Sequence, residues 1–152
     1  MRRALLIPAL LAVFGCHVIW APTRPRRPAV MTMTATAFTR ARQATAAGTA
    51  ARAGTVAADP KVLPLGSKIR VTGSKGYDGN YLVTDTGSDV KGRHIDLYLP
   101  SPAAAQRFGA QTVRVQIREL GNGPEDARAK DRVARRRLAA RRKATWERRR
   151  RG

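Results

Sequence analysis

The chain has 152 residues, which is enough for one compact domain with extensions but not for two domains of ordinary size. Its formal net charge of +20 is extreme for this length and predicts attraction to polyanions, namely nucleic acid, anionic lipid or the anionic polymers of a cell wall. Because Cys16 is the only cysteine and there are two histidines, an internal disulfide and a cysteine-based metal site are excluded, and neither a zinc site nor a cofactor is expected.

The N-terminal residues 1–20 are typical of a targeting segment. Two arginines precede an apolar run over residues 4–13, which is too short for a comfortable membrane-spanning helix. The four residues that end at Cys16 resemble a bacterial lipoprotein box, in which the cysteine is lipidated after cleavage, although the bulky Phe14 departs from that pattern. We therefore expect export to the cell envelope, with lipidation of Cys16, ordinary secretion and an uncleaved anchor as the alternatives.

Residues 30–120 are predicted to form the folded domain, after a stiff linker rich in proline and arginine over residues 21–29. Alternation of apolar and polar residues predicts strands over 31–37, 54–58, 68–71, 81–84, 94–99 and 112–120. A capping Ser101 followed by proline, with Gly109 at the other end, predicts one short helix. The alanine-rich stretch 40–52 fits a short helix or a loop. These elements favour an all-β fold, a small β-barrel, over a βαβ sheet.

Two of the predicted strands carry a carboxylate and are joined by a loop with a glycine at each end. Asp85 ends the first strand, and Asp96 lies within the second on its polar face. Gly87 and Gly92 would allow positive φ and a tight return of the chain. We therefore expect Asp85 and Asp96 to lie close together at one mouth of the barrel. The alternative for Asp85 is a turn with Thr86 that only closes the loop, and for Asp96 a purely structural role.

The C-terminal residues 121–152 differ in composition from the rest. A proline and two acidic residues begin a helix well, and arginine dominates afterwards, with thirteen Lys/Arg against four Asp/Glu, a local net charge of +9. We expect a solvated, partly disordered basic helix. The alternative is an electrostatic arm that binds an anionic wall polymer or a membrane surface. Nucleic acid is not favoured as a partner, because the chain is expected to be exported.

Several short motifs, in order and with regular spacing, resemble the 3D domain, a family named for three aspartates that includes the C-terminal part of membrane-bound lytic transglycosylase A. The motifs are Gly54 to Pro60, Leu63 to Gly66, Asp85-Thr86-Gly87, Lys91-Gly92 and Ile95 to Tyr98. The resemblance covers about residues 34–119 and implies a six-stranded double-psi β-barrel. It places the three aspartates at Asp59, Asp85 and Asp96. The two residues after Gly87 depart from the family pattern.

The resemblance implies that the chain cleaves the glycan strands of peptidoglycan, as a lytic transglycosylase or a related glycan-cleaving enzyme. In that reaction the muramoyl C6 hydroxyl attacks its own anomeric carbon, so that no water and no second catalytic carboxylate is required. One carboxyl group protonates the leaving oxygen and then accepts the hydroxyl proton. We assign Asp96 as this acid and base, Asp85 as the neighbour that raises its pKa or orients the substrate, and Asp59 as support for the following loop.

Five further residues are candidate contacts to the glycan: Thr36, Thr86, Gly87, Lys91 and Tyr98. Tyr98 shares a strand face with Asp96 and is predicted to stack on a sugar, whereas a solvated side chain is the simpler interpretation of Lys91. The alternative to an enzyme is a non-catalytic peptidoglycan-binding or autolysin-accessory module, because the transglycosylase that the chain resembles has a second domain that completes its groove.

Overall fold

A computed structural model describes residues 29–39 and 44–151. In chain order its elements are β1 Val30–Phe38, β2 Thr55–Ala58, β3 Lys68–Thr72, β4 Gly79–Asp85, β5 His94–Tyr98, α1 Pro102–Phe108, β6 Gln111–Glu119 and α2 Pro124–Arg151. Each of the six predicted strands is present, with its ends within two residues of the expected ones. The predicted targeting segment, the linker up to residue 28 and Cys16 lie outside the described residues. Within the described residues, no helix combines the length and apolar character that crossing a membrane would require.

The six strands close into a barrel in the order β1-β5-β2-β4-β3-β6. β1 pairs with β5 and β2 with β4 in parallel, and the other pairings are antiparallel. This closed, mixed, six-stranded barrel confirms the fold expected from the resemblance. Closure pairs both sides of every strand, so that no sheet edge is left open.

The barrel interior is filled by alternate residues of the strands, as the period of two predicted. On β5, Ile95 and Leu97 are fully buried, and on β6, Val113 and Val115 are in the same core cluster. The residues between them face outwards, because successive side chains of a strand point to opposite faces. A short barrel therefore has two distinct surfaces, an apolar interior and a polar exterior on which a site can be built.

The short helix α1 begins and ends where its capping residues predicted. The Ser101 hydroxyl accepts a hydrogen bond from the Ala104 amide at 3.4 Å, and Gly109 ends the helix with a φ of +60°. The ambiguous alanine-rich stretch, in its described part, is a tight loop closed by an isolated β-bridge between Ala44 and Ala50.

The first turns of α2 are packed against the barrel, which corrects the expectation of a solvated tail for this part of the helix. Ala127 has no exposed surface and belongs to the core cluster, and the Gly123 amide donates to the Leu65 carbonyl at 3.0 Å. Gly121 is required at this junction, because a Cβ there would collide with the Leu65 carbonyl oxygen. The remaining turns of α2 are exposed along almost their whole length.

Candidate functional site

Four neighbouring strands bring one row of residues side by side on the outer face of the barrel. The strand register pairs Thr36 with Asp96, Asp96 with Ala57, and Ala57 with Asp85. We call these four residues the carboxylate row. Since adjacent strands lie about 4.8 Å apart, the Cα atoms of Asp85 and Asp96 are roughly 10 Å apart across β2. Ala57 carries only a methyl group, so that no bulky side chain of β2 stands between the two aspartates.

Asp96 is half-buried in the middle of β5, with its neighbours Ile95 and Leu97 in the barrel core. One carboxylate oxygen accepts a hydrogen bond from the Thr36 hydroxyl at 2.8 Å. Burial raises the pKa of Asp96, and this effect outweighs the Thr36 hydrogen bond and the nearby His94 charge, which both lower it. The carboxyl is therefore easier to protonate than an ordinary aspartate while part of it remains accessible.

Thr36 connects Asp96 to a histidine that sequence analysis did not assign to the site. The Thr36 hydroxyl lies 2.9 Å from Nε2 of His94. Because its single proton is donated to Asp96, the hydroxyl accepts from His94, which places a ring proton on Nε2. The signal in the sequence was the spacing of two residues between His94 and Asp96, which places both side chains on one strand face.

Asp85 reaches the row through a bulge at the end of β4. The register pairs Val83 with Val56 and then Asp85 with Ala57, so that Thr84 is an extra residue, and such bulges re-aim the side chain that follows. Oδ1 of Asp85 accepts hydrogen bonds at 2.8 Å from the amides of Ala46 and Thr86. This oxygen holds two loops together, and within the described ranges no hydrogen bond is formed by Oδ2.

Asp59 lies outside the carboxylate row and uses both of its oxygens to brace a corner of the barrel. Oδ1 accepts from the Lys61 amide at 2.9 Å and Oδ2 from the Gly92 amide at 2.7 Å. These two backbone hydrogen bonds, that of Gly92 first, hold the pKa of Asp59 below its ordinary value. Asp59 is 8% exposed. It therefore ties the turn after β2 to the loop before β5 and remains ionised.

The two loop glycines serve different purposes. Gly92 has a φ of +61°, as predicted. Gly87 is not among the residues with positive φ, so that the expectation for it was wrong; a Cβ at this position would collide with the side chain of the buried Val90. Thr86 is half-buried beside Gly87, and Lys91 is exposed and contributes to the lowered pKa of Asp59 through its charge.

Tyr98 is poorly placed for the sugar stacking that the sequence predicted. It is only 8% exposed, and its ring packs edge-to-face against Phe38 with 5.6 Å between the ring centroids. Little of the ring remains for a sugar, whereas the half-buried Phe38 has more accessible surface. Parallel pairing of β1 with β5 causes this, because it sets Phe38 directly beside Tyr98.

The carboxylate row presents groups of the kind that proton transfer uses. It combines a carboxyl whose pKa is raised with a second aspartate bound by backbone amides, and a perturbed pKa on an accessible face marks a candidate acid or base. Within residues 29–39 and 44–151, no cluster of three or more His, Cys, Asp or Glu side chains is placed to hold a metal ion.

Comparison with known protein families finds a match over most of the barrel. Residues 54–119 match the sequence profile of the 3D domain family. This segment is a 3D domain. The 3D domain contains Asp59, Asp85 and Asp96, whereas β1 with Thr36 precedes the matched residues.

Two relatives from Bacillus subtilis carry names that refer to the cell wall. YabE, named for cell wall shaping, is 38% identical over 96 residues, which cover 58% of this chain and 23% of YabE. Cell wall-binding protein YocH is 44% identical over 62 residues, which cover 41% of this chain and 20% of YocH. The chain thus spans less than a quarter of the length of each of these two relatives.

The solved structures to which part of the chain is similar include the following two. Lytic transglycosylase MltA of Escherichia coli is matched with a TM-score of 0.41 and 21% identity, over 48% of this chain and 26% of MltA. An expansin of Clavibacter michiganensis, crystallised as its D78N mutant with cellohexaose, is matched with a TM-score of 0.48 and 19% identity, over 63% of this chain and 54% of the expansin.

Proposed function

We propose that the protein acts on the bacterial cell wall and that its 3D domain cleaves peptidoglycan glycan strands by lytic transglycosylation, with Asp96 as the general acid and base. The observation that carries this proposal is the half-buried Asp96, whose pKa is raised, on the outer face two strands from Asp85. The cell wall setting is supported by the names of YabE and YocH.

The proposed reaction needs one carboxyl group to take part in two proton transfers, first as the donor and then as the acceptor. Protonated Asp96 gives its proton to the glycosidic oxygen that leaves the anomeric carbon of N-acetylmuramic acid. The C6 hydroxyl of the same sugar then attacks that carbon and passes its proton to the Asp96 carboxylate, which leaves a 1,6-anhydro ring and restores the acid. The Thr36 hydroxyl stabilises the carboxylate between the two steps, because a hydrogen bond to the charged form favours it.

The remaining candidate residues have roles in binding the glycan in this proposal. Oδ2 of Asp85 accepts from sugar hydroxyls, while Oδ1 keeps the adjoining loops in place. The loop at Thr86 and Gly87 lines the site, and the exposed Lys91 pairs with carboxylates of the muramoyl or peptide groups. Asp59 acts indirectly by fixing Gly92 in this loop.

The second candidate function is a binding module that holds the glycan without cleaving it. It is supported by the name of the relative YocH, a cell wall-binding protein. In this case the half-buried Asp96 and its Thr36 hydrogen bond would order the outer face of the barrel for sugar hydroxyls, with no proton transfer.

The test that separates the two candidates is incubation of the full chain with purified peptidoglycan sacculi, followed by mass spectrometry of the soluble products. The transglycosylase proposal predicts anhydro-muropeptides from the wild-type protein and none from Asp96→Asn. The matched control is Asp89→Asn, which removes an exposed carboxylate outside the row and is expected to retain activity. Co-sedimentation with sacculi but no released product would reject the enzyme and leave the binding module.

We also propose an envelope location, as a lipoprotein anchored through Cys16 or as a secreted protein. Incorporation of a labelled fatty acid that is lost in Cys16→Ser would establish the anchor. Extracellular protein without the label would establish secretion instead.

A further inference from the structure

A basic groove runs between α2 and the outer face of β3, β4 and β6. It consists of two parts with volumes of about 570 and 760 Å³, which share Arg52, Lys68, Asn80 and Lys130 in their walls. Seven lysine and arginine side chains line the two parts, and no Asp or Glu is among the described residues that line them. The groove is separate from the carboxylate row, since Asn80 is five residues, or roughly 16 Å along β4, from Asp85.

Three of the seven cations take part in ion pairs, and two of these pairs attach the helix to the barrel. Arg52 binds the buried Asp131 at 2.6 Å, and Lys68 and Lys130 bind the two oxygens of Glu119 at 2.7 and 2.6 Å. These pairs lower the pKa of Glu119 to about 2, chiefly through the hydrogen bond from Lys130. They fix the relative position of the two walls and leave the other four cations to the solvent.

The other four cations are divided between the two walls of the groove, two on the barrel and two on α2. Arg70 and Arg118 are exposed on β3 and β6, and Arg137 and Arg141 are one helical turn apart on α2. Within the described parts of the chain, none of the four has an ion-pair partner. Positive charge gathered in a groove raises the local concentration of anions, and guanidinium groups bind phosphate through paired hydrogen bonds.

The shape and lining of the groove favour one flexible chain of phosphates without bases. A bilayer is flat, whereas the four cations without ion-pair partners line a concave surface and are divided between the barrel and the helix. Single-stranded nucleic acid is held on aromatic platforms, but the only aromatic residue among the described lining residues is Tyr81, which is half-buried and donates its hydroxyl proton to the Tyr77 carbonyl at 2.6 Å. We propose that this groove binds an anionic polyol-phosphate polymer of the cell wall.

This site is independent of the catalytic proposal. A polymer bound between the barrel and α2 would hold the 3D domain within the wall whether or not Asp96 transfers a proton. Because both walls are needed, the helix is one side of a composite site and not a free basic arm.

The experiment is titration of the full chain with a glycerol-phosphate oligomer at low salt, using isothermal calorimetry. The double variant Arg70→Gln/Arg118→Gln removes two charges from the barrel wall, and Arg148→Gln/Arg149→Gln removes two from the end of α2 outside the groove. We expect the first variant to bind about tenfold more weakly and with a smaller salt dependence, and the second to change by less than about twofold. All four side chains are exposed, so that circular dichroism should show both variants folded.

Equal losses in the two variants would overturn the proposal, because they would show that charge alone attracts the polymer. Tighter binding of an oligothymidylate than of the glycerol-phosphate oligomer would overturn it in favour of nucleic acid. Vesicles of anionic lipid could also be added as a competitor of the glycerol-phosphate oligomer. If they compete equally well with and without Arg70→Gln/Arg118→Gln, the membrane binds the helix and not the groove. The groove variant should still release muropeptides from sacculi that are free of wall polymer. This result would show that polymer binding in the groove is independent of glycan cleavage at the carboxylate row.

Discussion

The corner around Asp59 and the carboxylate row around Asp96 use the same side chain for opposite purposes. Asp59 follows β2 and meets a backbone amide at each oxygen, which lowers its pKa. Asp96 lies on β5, beside Ala57 of β2. It is half-buried and accepts one hydrogen bond, from a hydroxyl group, and its pKa is raised. The hydrogen-bond donors that face a carboxylate, together with its burial, decide whether its pKa lies below or above the ordinary value.

The largest expected effect is that of Asp96→Asn on activity. The amide cannot exchange the proton, so that the release of anhydro-muropeptides should fall by about 100-fold or more. The melting temperature at pH 7 should be unchanged or higher by a few degrees. A raised pKa in the folded state means that the stability contributed by Asp96 is present below its unfolded pKa and lost as the pH rises through the folded pKa. Undiminished product release by this variant would remove Asp96 from the reaction.

Asp59→Asn should have the opposite effect to Asp96→Asn. It should clearly lower the stability of the fold, while the activity should fall only as far as the fraction of folded protein falls. One oxygen is replaced by an NH₂ group that faces an amide donor, either Gly92 or Lys61. Because the pKa of Asp59 is lowered, its contribution is present above the unfolded pKa and lost as the pH falls through the folded value. Thermal melts should therefore separate wild type from variant by several degrees at pH 7 and by less in acid. Equal melting temperatures of the wild type and the variant at pH 7 would show that the hydrogen bonds of Asp59 do not stabilise the fold.

Most of the fold could be predicted from the sequence, because alternation along one strand reports which face is buried. The alternation of apolar Ile95 and Leu97 with polar Asp96 predicted β5 and showed which of its faces is buried. Alternation does not report which strand lies alongside. The pairing of β1 with β5 brings His94 to Thr36 and buries Tyr98 under Phe38, from about 60 positions away.

The remaining errors have similar physical causes. Gly87 was assigned a backbone role, whereas its packing against Val90 depends on how the loop folds over itself. Docking of α2 depends on one small residue, Ala127, and on ion pairs such as that of Asp131 with Arg52, none of which produces an apolar stripe along the helix. The role of Asp59 as support came from the family resemblance and agrees with its contacts.

A smaller effect is expected from Thr36→Val, which removes the hydrogen bond to Asp96 while nearly keeping the shape of the side chain. Since this bond lowers the pKa of Asp96, its loss should raise that pKa further. The alkaline limb of the pH–activity profile, where the acid is lost, should therefore move to higher pH. Thr32→Val on the same strand is the control, because Thr32 is exposed and lies outside the row. An unshifted limb would show that Thr36 does not govern the proton of Asp96.

The smallest effect should follow from Lys91→Gln. Its charge makes a minor contribution to the lowered pKa of Asp59, so that the melting temperature should change by about one degree or less. If Lys91 binds substrate carboxylates as proposed, the concentration of sacculi needed for half-maximal rate should rise while the maximal rate is retained. No change in either quantity would leave Lys91 as a solvated side chain.

The measurement that tests the contrast between the two regions most directly is an NMR titration of the side-chain carboxyl carbons in the wild-type protein, with Asp59→Asn and Asp96→Asn to assign the signals. The signal of Asp96 is predicted to titrate above the ordinary aspartate pKa of about 3.9, and that of Asp59 below it. If Asp96 titrated at or below the ordinary value, it would be ionised throughout the working pH range, and the assignment of this residue as the proton donor would be contradicted.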